Sequence, residues 1–71
     1  MKIQYFADTD TVYLQLNETP VFETKDLDEN TVMDIDARGN LVAITIEHAK
    51  ERADISNFVY EQIAVPAIVA K

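Results

Sequence analysis

The chain of 71 residues has no cysteine and no tryptophan, and only one glycine, one histidine and one serine: Gly39, His48 and Ser56. Without cysteine, neither disulfides nor a thiolate metal site can supplement a small core, and chains of this size then commonly rely on self-association. A single histidine offers few ligands for zinc, and Ser56 sits in no recognisable nucleophile motif. Positive charge is scarce as well, with 6 Lys and Arg against 13 Asp and Glu and a net charge of -7. The cations Lys2, Lys25, Arg38, Lys50, Arg52 and Lys71 are scattered along the chain, which disfavours direct nucleic-acid binding. Long apolar runs are missing too. The longest, Ile63 to Ala70, falls far short of the roughly 20 residues of a membrane span, and Met1 to Tyr5 alternates at once without a hydrophobic signal core. A soluble cytoplasmic protein with no membrane partner is therefore expected. An acidic surface first of all means solubility, and it also suits a basic protein partner.

What is present is two-residue alternation. In Val32 to Ile46, Met33 and Ile35 oppose Asp34 and Asp36, the only glycine follows at Gly39, and Val42, Ile44 and Ile46 resume an apolar row. This pattern predicts a β-hairpin, in which Gly39 takes the left-handed conformation of a type I turn with a following bulge and Asp36 accepts hydrogen bonds from the turn backbone. Upstream, Lys2 to Phe6 and Thr11 to Asn17 alternate around the turn chemistry of Ala7-Asp8-Thr9-Asp10 and predict a first hairpin. Val21 to Leu27 alternates less cleanly and carries charge, which suits a sheet edge.

From His48 the pattern changes, and good helix formers predict one short helix near residues 49–54. The segment after it fits either a helical stripe through Ile55, Phe58, Val59 and Ile63 or a strand. Aromatic and β-branched residues, with Pro66 beyond, favour a strand from Phe58 to Ala64. The fold class is thus α+β and β-rich: one domain over 1–71, an antiparallel meander sheet of five or six strands, and one short helix.

The apolar row formed by Ile3, Tyr5, Val12, Leu14, Leu16, Met33, Ile35, Val42, Ile44 and Ile46 needs a cover, and only the helix and residues 55–71 remain to supply it. That segment carries more apolar surface than one small sheet absorbs. A homodimer is therefore expected, with Phe58, Tyr60, Ile63 and Val65 as the self-association residues.

No motif amounts to a catalytic or cofactor-binding signature, so no catalytic residue, cofactor or metal is assigned. Asp26-Leu27-Asp28-Glu29-Asn30 opens like a calcium loop, but Thr31 and Ala37 stand where that loop needs glycine and a bidentate glutamate, so an acidic turn is expected. Asp34 and Asp36 share one face of a strand and with His48 form the candidate site, since enclosed paired carboxylates perform acid–base chemistry or hold a hard cation. Against this, Asp34 and Asp36 read as the wet face of an antiparallel sheet. By parity, His48 continues the apolar row as a partly buried imidazole bonded to a neighbour.

Three stretches carry a family likeness: Met1-Lys2-Ile3-Gln4-Tyr5 followed by Asp8-x-Asp10-x-Val12-Tyr13-Leu14, then Val32-x-Asp34-x-Asp36-x-x-Gly39-x-Leu41-Val42-x-Ile44-x-Ile46, and His48-Ala49. Over residues 1–53 the chain resembles the small bacterial family called domain of unknown function 2283. The resemblance implies a compact β-rich domain and carries no catalytic role to any position. It also implies an association with small toxin-like proteins. Three functions follow as expectations: a non-enzymatic self-associating interaction domain; an acidic antitoxin-like protein that neutralises a small basic partner; and a small metal-dependent or hydrolytic site built on Asp34, Asp36 and His48.

Overall fold

The alternating segments form strands that pair into one antiparallel sheet in the computed structural model, which describes residues 1–64. They are β1 (Lys2–Phe6), β2 (Thr11–Gln15), β3 (Glu23–Asp28), β4 (Thr31–Ile35) and β5 (Leu41–Glu47), followed by the single-turn helix α1 (Ala49–Arg52). The sheet order is β1-β2-β5-β4-β3. The β1–β2 hairpin and the β3–β4–β5 meander are joined where β2 meets β5, with Val12 opposite Ile46 and Leu14 opposite Ile44. The charged strand β3 lies at one edge and β1 at the other.

Register carries the two-residue period across the whole sheet. Ile3 and Tyr5 face Leu14 and Val12, which face Ile44 and Ile46, and Ile44 in turn faces Met33. Opposed residues share a face, so these side chains make one apolar surface. Two bulges interrupt the register. One inserts Val42 on β5 between the partners of Asp34 and Ile35, and the other inserts Leu27 on β3 between Asp26 and Asp28, whose partners Val32 and Thr31 are adjacent.

The β4–β5 turn follows its expected chemistry. Gly39 has φ +86° and its N–H donates to the Asp36 carbonyl at 3.0 Å, while the Asp36 N–H donates to the Asn40 carbonyl at 2.9 Å. Only glycine adopts that φ without steric cost. The long β2–β3 connection is tied to the same end of the sheet. Leu16 and Asn17 donate backbone N–H groups to the Val42 carbonyl, and the Asn17 side-chain amide donates to the Leu41 carbonyl at 2.6 Å.

The core is thin. Val12, Val42, Ala43 and Ala49 are the buried apolar residues, and among the described residues no large side chain is fully buried. Helix α1 covers one end of the apolar face, placing Ala49 under it at 1% exposure. The chain then runs past that face, where Ala53, Ile55 and Phe58 line a cavity of about 240 Å³ together with Ile3, Tyr5, Val12 and Leu14.

No sixth strand forms at Phe58 to Ala64. Residues 57–64 are exposed and in neither helix nor strand. Aromatic and β-branched residues favour an extended chain, yet a strand exists only with a ladder partner, and among the described residues this segment has none.

Candidate functional site

The three residues of the candidate site sit in three different local structures. Asp34 lies within β4, opposite Ala43 of β5 and Thr24 of β3, and accepts a hydrogen bond from the Thr24 hydroxyl at 2.7 Å. Asp36 lies beyond the end of β4 and belongs to the turn. Its carboxylate accepts the backbone N–H groups of Arg38 and Asn40 at 3.0 and 2.9 Å, and the Thr19 hydroxyl at 3.0 Å. These bonds, led by the one from Asn40, outweigh partial burial and hold its carboxyl below the ordinary aspartate value. Strand β4 ends at Ile35, so the start of the turn ends the alternation that would place both carboxylates on one strand face. Asp34 is half-buried beside Thr24 and Ala43, and Asp36 is a structural residue only 6% exposed.

His48 does not continue the β5 row. It is exposed and takes a left-handed backbone conformation, φ 54° and ψ 46°, at the junction between β5 and α1. The sharp turn into the helix removes it from the strand before its parity can matter. Five residues separate it from Ala43, the partner of Asp34, a span on the order of 15 Å along an extended strand. Asp34, Asp36 and His48 are therefore not brought into one cleft. Among the described residues no three His, Asp or Glu side chains converge as metal ligands.

Two polar clusters that alternation does not reveal organise the end of the sheet where His48 lies. Asp10, itself at φ 55°, accepts the Ala49 N–H on its carbonyl at 2.9 Å and the Lys50 N–H on its carboxylate at 3.2 Å. The same carboxylate accepts the Tyr5 hydroxyl at 2.8 Å. Desolvation, then the hydrogen bond to Asp10 and its charge, raise the Tyr5 phenol above its ordinary value. On the far side, Arg52 donates two bonds to Asp28, at 2.7 and 3.2 Å, and reaches the Thr31 hydroxyl at 3.4 Å. Asp28 also accepts the Asn30 N–H at 2.9 Å, so the acidic turn is closed by a carboxylate of its own. The Arg52 guanidinium holds the Asp28 carboxyl well below the usual range, and Asp28 raises Arg52 in return. The sequence signals for both clusters are weak: an Asp at the end of a turn, and an Arg at the end of a short helix.

Of the expected self-association residues, Phe58, Tyr60 and Ile63 are 66, 71 and 76% exposed. Phe58 and Tyr60 line a second cavity with Met1 and Ile3, so this segment passes beside the β1 edge. Val65 lies outside the described residues.

No helix among the described residues is long and apolar enough to cross a membrane. Comparison with curated proteins and with solved structures finds no match. One family model, that of a protein of unknown function (DUF2283), matches residues 2–50, which takes in all five strands and the start of α1 and is well over half of the chain. The chain belongs to that family.

Proposed function

We propose that this protein is a non-enzymatic interaction domain that self-associates through its half-covered apolar face. The observation that carries this reading is the imbalance between apolar surface made and apolar surface buried. The apolar side chains left exposed on and beside that face include Ile3, Tyr5, Phe58, Val59, Tyr60 and Ile63. Burying each of the larger side chains is worth about 1.5–3 kcal/mol. Light scattering coupled to chromatography tests the reading: a dimer at high micromolar concentration that Phe58→Asp converts to monomer supports it. A wild-type chain that stays monomeric throughout removes it.

A second reading, an acidic antitoxin-like protein that neutralises a small basic protein, is favoured by the β3 edge. Residues Glu23 to Glu29 are all exposed and carry Glu23, Asp26, Asp28 and Glu29 against Lys25. A basic protein encoded next to this chain should co-purify with it. Failure of that protein to bind at low salt would sink this reading.

A further inference from the structure

The two edges of the sheet differ in how they meet a second copy. Strand β3 brings Glu23, Asp26 and Asp28 with one lysine, so two such edges side by side would set carboxylate against carboxylate. Strand β1, Lys-Ile-Gln-Tyr-Phe, is exposed along its whole length and carries no acid, no proline and no bulge. In a chain of net charge -7, it is the sheet edge with the least electrostatic resistance to another copy. Unpaired strand edges of this kind are templates for a further strand.

We propose that β1 is a self-complementary docking edge: two copies pair antiparallel through Lys2–Phe6 about a two-fold axis centred on Gln4, joining two five-stranded sheets into one of ten. The proposal deepens the self-association reading and rests on it.

Three features select this pairing and register. Residues directly opposed across an antiparallel pair share a face, so only a register that opposes odd residues with odd ones keeps the apolar surface continuous. Centring on Gln4 does this over the full strand, placing Ile3 opposite the partner's Tyr5 and Lys2 opposite the partner's Phe6. An aromatic against a β-branched residue is a favourable cross-strand pair. Charge agrees, because Lys2 then approaches the turn beyond the partner's Phe6, which carries Asp8. The exposed segment at Phe58 and Tyr60 already lies beside Met1 and Ile3, so pairing at β1 carries it to the junction. There it covers apolar surface of both copies.

The absence of native cysteine makes the test direct. Opposed residues in an antiparallel pair have Cα atoms about 4.5–5.5 Å apart, within disulfide reach. Gln4→Cys under mild oxidation should therefore run mainly as a covalent dimer on a non-reducing denaturing gel, while Thr24→Cys on β3 should remain monomeric there. A mixture of Lys2→Cys and Phe6→Cys chains should cross-link to each other several-fold more than either does alone, which gives an answer even if Gln4→Cys folds poorly. A wild-type chain that is dimeric by light scattering, with no preferential link at Gln4 or between Lys2 and Phe6, overturns the β1 edge and leaves self-association standing. Equal linking of Thr24→Cys overturns it as well. A wild-type monomer overturns both readings.

Discussion

Asp36 accepts three hydrogen bonds while almost inaccessible to water, so its loss should be felt beyond the turn. Asp36→Ala leaves the Arg38 and Asn40 N–H groups without their acceptor and should lower the thermal midpoint by about 5 °C or more, whereas Asp36→Asn, which keeps one carbonyl acceptor, should lose about half of that. Because the carboxyl is held below its unfolded value of 3.8, its contribution is complete above that value and fades as pH falls through the lower folded one. Asp28, depressed by Arg52, acts in the same direction. Acid titration of the thermal midpoint should thus fall below about pH 4, and less steeply in Asp36→Asn than in wild type. Equal slopes would mean that Asp36 does not contribute to the acid limit. Gly39 is a separate case, because a Cβ added there meets nothing within 4 Å. The cost of Gly39→Ala is then purely that of a left-handed alanine, about 1 kcal/mol in denaturant unfolding, and Gly39→Asn should cost less. A much larger loss would show that the loop is packed against something.

At the scale of elements, α1 has four residues and is too short to be stable by its own propensity. Asp10 fixes its first turn, buried Ala49 seats it on the sheet, and Arg52 ties its end to the β3–β4 turn. Asp10→Ala should release the helix without unfolding the sheet. Amide exchange at Lys50 to Ala53 should accelerate about tenfold or more while the β2 and β5 amides keep their protection, whereas uniform acceleration would mean that helix and sheet open as one unit. The ion pair Arg52–Asp28 is part-exposed on both sides, so Arg52→Ala should move the thermal midpoint by no more than a few degrees. How far the sequence reveals these elements follows from the range of the interactions involved. Strands read from period two, and the turn at Gly39 reads from local chemistry, because both are decided within a few residues. The β2–β5 pairing that sets the sheet order joins residues about thirty apart, and nothing local announces it. Alternation fails for the candidate site where a strand stops: Asp36 lies beyond the end of β4 in the turn, and the left-handed backbone of His48 takes it off the face that parity assigns. Segment 58–64 has strand composition without a strand because propensity cannot supply a ladder partner.

For the whole molecule, charge distinguishes the two proposed associations. Copies with net charge -7 repel one another, so self-association works against a like-charge field that added salt screens. Binding of a basic partner works with that field, and the same salt weakens it. The two equilibria should therefore respond to ionic strength with opposite sign. Between about 20 mM and about 500 mM salt the homodimer should tighten roughly three- to tenfold, because apolar burial is unaffected while repulsion is screened across a Debye length that shrinks from about 20 Å to about 4 Å. Acidification towards the isoelectric point near 4.3 should act in the same direction, until protonation of Asp28 and Asp36 begins to destabilise the fold. Sedimentation velocity across a salt series reads the effect directly. A dimer that dissociates as salt rises would place ion pairs, rather than the apolar face formed by Ile3, Tyr5 and Phe58, at the centre of the contact. The substitution Lys2→Glu sharpens the test, since it adds like charge at the one sheet edge free of acids: at low salt it should weaken the homodimer severalfold, and at high salt most of that loss should be recovered.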